Sequence, residues 1–298
     1  MELAPVLLFT YNRLSQTKQT VQALQQNLLA PESELFIFSD GPRTTTEASR
    51  VAAVRDYLTT ITGFKNVTIR SAEKNKGLAN SIIDGVTQLI NQYDQVIVLE
   101  DDLVTSRNFL SFCNQALQYY KSHPQVFSVG GYSRPIRGLD DKDVYFTTRA
   151  TSWGWATWKD QWNQVDWSVK DYAAFSRDRT ARQRFNQMGS DMATMLDKQM
   201  RGTISSWAIR WCYHQFRHQL VTVFPAKSKV SNIGFNEAAS HTKGKLNSFA
   251  TDLDETNNTE FSFPDSINLD KEIIKQFIKP WTISERIKNK VLNALPSL

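Results

Sequence analysis

Short apolar runs alternate with longer stretches of helical spacing through the first 130 residues. Residues 6–10, 35–38, 66–70, 95–100 and 126–129 have strand length and are rich in β-branched and aromatic side chains. Between them, residues 14–27, 44–58, 78–90 and 108–121 place apolar groups three and four apart. Val21, Leu24 and Leu28 share one face, as do Val51, Val54 and Leu58, then Ile82, Ile83, Val86 and Leu89, then Phe109, Phe112, Leu117 and Tyr120. This spacing predicts helices with one buried side. Ser15 or Asn12 offers a cap for the first helix. Asp40-Gly41-Pro42, Asn75-Lys76-Gly77 and Pro124 punctuate the series. The repeated strand–helix order predicts an α/β fold, a doubly wound and mostly parallel sheet flanked by helices.

After Gly130 and Gly131 the simple alternation stops. Residues 144–148 and 220–224 predict strands, and 191–201 and 206–218 predict helices. Trp153, Trp155 and Trp158 crowd around Gly154 and read as core or pocket wall, and residues 231–236 read as a turn. Residues 252–264 are polar loop, followed by two short helices at 270–279 and 283–295. No linker is visible, so residues 1–250 read as one domain with halves 1–103 and 104–250, and 251–298 as a helical extension. In the last helix Ile283, Ile287, Val291 and Leu295 share a face, with Arg286, Lys288 and Lys290 on another. Such a basic amphipathic helix suits contact with an anionic membrane, although docking on its own domain is the commoner use.

Composition narrows the class. The chain has 298 residues, 41% hydrophobic and 22% charged, enough to bury a sizeable core. A net charge of +5 suits an anionic small substrate or a membrane surface, and no internal Lys/Arg run calls for nucleic acid. Cys113 and Cys212 lack metal-ligand spacing and read as small buried groups in a reducing compartment. No apolar run reaches membrane-spanning length, and residues 3–9 are too short and lack the basic leader of a signal peptide. A cytoplasmic location is expected, peripheral at the inner face of the plasma membrane if the last helix meets lipid.

Candidate chemistry gathers where the apolar run 96–99 ends in Glu100, Asp101 and Asp102. Burying three carboxylates together is costly unless something positive joins them. Mg²⁺ or Mn²⁺ suits such oxygens, with phosphates and water completing the shell. Ligands of open α/β sheets bind beyond the carboxyl ends of the strands. The predicted loops there also carry Thr10, Asn12, Arg13, Asp40, Lys76 and Gly77, a set that suits a nucleotide diphosphate. There is no G-x-G-x-x-G after the first strand and no G-x-x-x-x-G-K-[ST], which argues against a Rossmann dehydrogenase and a P-loop enzyme.

Taken in series, these segments resemble the GT-A glycosyltransferases, which use nucleotide sugars and hold a metal through a D-x-D-type motif. The likeness runs over about residues 6–241. It is strongest to the animal Golgi β-1,2-N-acetylglucosaminyltransferase that begins hybrid N-glycans, and to bacterial family 2-type transferases for surface polysaccharides. The resemblance implies that Asp102 binds Mn²⁺ or Mg²⁺ and that Asp101 and Glu100 meet the ribose or donor sugar. It assigns Arg13 to the diphosphate and Asp40 to the base, and places His241, after Ser240, near metal or phosphate. It implies an inverting transfer from a nucleotide sugar, UDP-linked by the same likeness, to a glycan or lipid-linked acceptor. Where that enzyme carries its catalytic acid, this chain has Ser205 and Ser206. Asp197 and Asp191 are then candidates for the base, with Asp166 and Glu237 also open. A non-catalytic nucleotide-sugar or glycan-binding relative is the alternative, and a sugar nucleotidyltransferase a more distant one, since residues 6–13 lack its Gly-rich basic loop.

Overall fold

The computed structural model describes residues 2–234 and 249–294. The apolar runs become strands β1 (Val6–Thr10), β2 (Glu34–Ser39), β3 (Asn66–Ser71) and β4 (Gln95–Glu100). Between them run helices α1 (Leu14–Gln25), α2 (Ala48–Leu58) and α3 (Leu78–Tyr93). β1 pairs in parallel with both β2 and β4, and β2 with β3. Every side chain of β1 is buried, as a strand covered on both faces requires. One apolar layer packs α1 and α2 on one face of the sheet, and a second packs α3 on the other.

Then follow β5 (Leu103–Thr105), α4 (Phe109–Tyr120), β6 (Val126–Gly130), β7 (Val144–Thr147) and β8 (Trp155–Trp158). After α5 (Lys159–Asn163), α6 (Tyr172–Arg177), α7 (Arg179–Phe185), α8 (Met192–Met200) and α9 (Trp207–Arg217) come β9 (Val221–Pro225) and β10 (Val230–Asn232). Helices α10 (Lys271–Ile278) and α11 (Ile283–Ala294) follow. The main sheet has eight strands in the order β3-β2-β1-β4-β8-β6-β9-β7. Only β8 and β7 run against the rest, so the sheet is mostly parallel, as the alternation predicted.

The unexpected strand is β8. It sits antiparallel between β4 and β6 and alternates Trp155 toward one face with Trp158 toward the other. Trp155 stacks with Trp207 and Trp162, while the Trp158 indole N–H donates to the Leu117 carbonyl at 3.0 Å. Large aromatics on both faces hide the period of two that usually announces a strand.

Other boundaries shift for local reasons. α1 ends at Gln25, which leaves Leu28 43% exposed rather than on the inward face. Neither Ser15 nor Asn12 caps it: Arg13 is the N-cap residue and makes no side-chain capping bond, and the Asn12 amide donates to Glu47. Residues 159–185 form three short helices that the spacing does not announce. The turn expected at 231–236 begins as β10, paired antiparallel with β5 through Asn232 and Leu103. Ser206 caps α9, its hydroxyl accepting from the Ile209 amide at 3.3 Å. Cys113 and Cys212 are buried and free. Phe261 and Phe263, in the polar stretch after 249, pack on Phe112 of α4. No described helix is long and apolar enough to cross a membrane. Glu237, Ser240 and His241 lie outside the described residues.

Candidate active site

β1, β2 and β4 are parallel and end on one edge of the sheet, and a crevice opens beyond them. β1 and its loop supply Phe9, Thr10, Tyr11 and Arg13. β2 and its loop supply Phe38, Asp40 and Arg43. The loop before α3 and its first turn supply Asn75, Gly77, Leu78 and Ser81, and the end of β4 with the turn after it supplies Glu100, Asp101 and Asp102. Phe9 and Phe38 stack with centroids 5.0 Å apart, forming an apolar wall.

The acids dominate the electrostatics. Burial, reinforced by the charges of Asp102 and Asp101, pushes the Glu100 carboxyl up to about 8. Burial also lifts Asp101 to about 6, against the hydrogen bond it accepts from the Tyr11 amide at 3.0 Å. Asp102 is raised by burial and lowered by Arg13, whose Nη1 donates to Asp102 Oδ2 at 2.9 Å. The Arg13 side chain is 46% exposed, so one half-solvated guanidinium faces three carboxylates.

That deficit of positive charge fits a cation. Among the described residues no three His, Cys, Asp or Glu side chains converge as a complete metal cage. Asp102 would therefore supply part of a shell that phosphate and water oxygens complete, the usual arrangement for Mg²⁺. The segment after β10 closes on the same carboxylate. The Ile233 amide donates to the Asp102 carbonyl at 2.9 Å, and a Cβ at position 234 would collide with Asp102 Oδ2. Glycine at 234 is thus what lets the backbone pass so close.

The far wall is built by Asp40. Its Oδ1 accepts from the Gly41 and Lys76 amides, both at 2.8 Å, and its Oδ2 from the Gly77 amide and Asn75 Nδ2, both at 3.0 Å. Four donors fill the carboxylate, so Asp40 holds the 75–77 loop in place rather than presenting a free oxygen. Gly77 sits there at φ +77, a conformation that favours glycine. Thr10 Oγ1 is buried in the crevice without a hydrogen-bond partner among the described residues.

Seven of the expected residues therefore line one crevice: Thr10, Arg13, Asp40, Gly77, Glu100, Asp101 and Asp102. Asn12 and Lys76 do not. The Asn12 amide is turned to Glu47, and the Lys76 ammonium to Asp84 at 3.2 Å on the surface, leaving only its backbone N–H to the site. Sequence reasoning passed over Tyr11, Arg43, Asn75 and Ser81. Arg43 had a visible signal, a cation just past the Gly41-Pro42 turn at a strand end. The others are ordinary loop and helix residues until the fold aims them.

The base candidates stand elsewhere. Asp191 pairs with the buried Arg149 at 3.2 Å, and that guanidinium also lies 4.0 Å from the Trp281 ring. Asp197 accepts two bonds from Arg182, at 2.8 and 2.7 Å, and one from the Tyr172 hydroxyl. The Arg182 bond holds the Asp197 carboxyl below its usual range. Asp166 accepts from Ser168 and the Lys170 amide. None of the three lines the crevice.

No known protein family matches the chain, and no curated protein matches it either. Among solved structures it is similar to the mannosyltransferase PcManGT from Pyrobaculum calidifontis in complex with GDP-Man and Mn²⁺. That match has 12% identity over 72% of this chain and 69% of that one, with a TM-score of 0.42. It is also similar to S. aureus TarS, with 14% identity over 46% of this chain and 22% of that one, and a TM-score of 0.30. Likeness at that level decides neither fold nor function, and the crevice itself has to carry the functional reading.

Proposed function

We propose that the chain is a metal-dependent glycosyltransferase of GT-A type. It moves a sugar from a nucleotide sugar, UDP-linked by the sequence resemblance, to a glycan or lipid-linked acceptor in surface polysaccharide synthesis. The observation that carries this reading is the charge deficit at Glu100, Asp101 and Asp102, set beyond the ends of parallel strands and beside Arg13. Asp102 would hold Mn²⁺ or Mg²⁺. When bound there, it would neutralise charge on the departing nucleoside diphosphate. Arg13 and Arg43 bind phosphate oxygens, a task suited to the planar guanidinium. Asp101, oriented by the Tyr11 amide, and Glu100 meet ribose or donor sugar. Thr10 and the loop that Asp40 latches face the base, with Phe9 and Phe38 excluding water beneath it. Direct attack by the acceptor hydroxyl inverts the anomeric centre. Such an enzyme works in the cytoplasm, with α11 as its contact to the inner face of the membrane.

Asp191 and Asp197 are the base candidates left from the sequence, and each must first leave its arginine to act. That arrangement also favours a second reading, a nucleotide-sugar-binding relative without turnover. Thermal shift with UDP-, GDP-, dTDP- and CMP-sugars, with Mn²⁺ or with EDTA, tests the donor site, because a ligand of the native state raises its melting temperature. A metal-dependent rise with one nucleotide class is the expected result. The absence of any rise overturns the donor site in both readings. A rise without transfer to any acceptor supports the binding relative.

A further inference from the structure

The carboxyl edge of the sheet holds a second and larger cleft, beyond the ends of β6 and β9 and the start of β7. Its volume is about 1170 Å³, against about 200 Å³ for the crevice at the acids. The loop 134–143, the segment 226–229, residues 254–261 and one side of α10 wall it. Arg134, Arg137, Lys142 and Lys227 line it, and none has an ion-pair partner among the described residues. Arg134 Nη1 donates to the Gln276 carbonyl at 3.2 Å, while its Nε is buried with no partner.

The acids of the cleft are mostly engaged already. Asp254 is bound by Lys229, Asp143 accepts from the Ser262 amide at 2.8 Å, and Glu272 lies 3.7 Å from Lys275. Asp140 is exposed at the rim, and the amide bonded to Asp143 leaves that charge in place, so two acids stand against the four unpaired cations. Lys279, the remaining cation, is 3.8 Å from Glu285. The free charge facing the hollow is therefore positive. Like charges gathered in a concave, partly dry site focus their field and concentrate anions.

One short strand joins the wall of the cleft to the crevice. Lys229 belongs to the wall, its amide donating to the Gly131 carbonyl at 2.8 Å. β10 then carries the chain to Asn232 and Gly234 against Asp102. Three strand steps from Lys229 to Asn232 span about 10 Å. A short oligosaccharide is long enough for such a distance.

We propose that this cleft holds an anionic stretch of the acceptor, a saccharide chain bearing phosphate or carboxylate groups. The proposal rests on the glycosyltransferase reading for its link to turnover, but the cleft can be tested without it. The probes are three fluorescent tetrasaccharides, one phosphorylated, one built of uronic acids and one neutral, titrated into the full chain by anisotropy at low and high salt. At least one anionic probe should bind at low salt and weaken at high salt, and the neutral probe should not bind comparably. The better of the two anionic probes identifies the charged group. Combining Arg137→Glu, Lys142→Glu and Lys227→Glu, all at exposed positions, should weaken that binding about tenfold or more. The same variant should keep the donor-dependent rise in melting temperature. Equal binding of the neutral probe, no binding of either anionic probe, or unchanged binding in the triple variant overturns the proposal. If the donor shift fails but the anionic probe binds and is lost in the variant, the transferase reading falls and the anionic cleft stands.

Discussion

Two groups of buried charge lie along the same sheet edge and behave in opposite ways. At the end of β4, three carboxylates share one half-exposed guanidinium, and burial pushes all three carboxyls upward. Beside α4, Asp254 and Lys229 are 3% and 4% exposed and bound to each other. Asn108 Nδ2 and the Thr256 hydroxyl add donors to Asp254 at 3.0 and 2.7 Å. Burial alone would raise Asp254, but these bonds outweigh it and bring its carboxyl down to about 2. The lesson is that burial of charge does not mark a ligand site. Burial without compensation does, because the missing partner must come from outside.

The largest effect should come from removing the uncompensated charge. Asp102→Ala is expected to lower transfer by about 10³-fold and to abolish the metal-dependent donor shift. The metal-free variant should melt no lower than the parent, since a repulsive neighbour of Glu100 has gone. Full activity in the variant would show that the crevice needs no carboxylate at position 102.

Lys229→Met makes the opposite test. It strands Asp254 in a buried site, and urea unfolding should show a loss of about 3–5 kcal/mol. The pH dependence follows from the sign of the shift. The folded carboxyl titrates below its unfolded value of 3.8, so the pair's stabilisation is present above that value. It is lost as pH falls from 3.8 toward 2. The variant should show a shallower acid slope in that window, and an unchanged slope would show that the pair does not set it.

Asp191→Asn and Asp197→Asn come next. Each carboxylate is compensated by an arginine, so each variant should lose about 1–3 kcal/mol of stability by the same measurement. A large loss of turnover at undiminished stability would instead return that residue to the role of base. Arg13→Met should raise the donor KM about tenfold, or 1.4 kcal/mol, with little change in unfolding because its pairing is half exposed. The smallest change is expected from Lys76→Ala, less than about 0.5 kcal/mol in donor affinity, since its ammonium reaches Asp84 on the surface. A large effect there would mean that the backbone N–H toward Asp40 is not what the site uses.

Much of residues 1–103 was legible because β1, β4 and most of β2 are buried on both faces. Continuous apolar runs such as 96–99, separated by helical spacing, leave little freedom in reading a parallel sheet. The acids after β4 were legible for the same reason, since a charged triplet directly after a buried run contradicts its surroundings. β8 was not, because Trp155 and Trp158 are apolar on both faces and carry no period. Ser206 could be marked only as standing where an acid was expected, and its part as the α9 cap needed the helix boundary.

By itself, then, the sequence determined which segments bury themselves and where charge is placed against that tendency, since both follow from local spacing and from the cost of dehydrating ions. It did not determine which charges are compensated. Arg13 and Asp102, Lys229 and Asp254, and Arg149 and Asp191 are pairs from distant parts of the chain. Asp40 looked available in the sequence, and only folding filled it with the donors of the 75–77 loop. Compensation acts over a few ångströms in space, while spacing along the chain reports only on neighbours within a turn or a strand. The tertiary structure alone decided which acids were left needing a partner.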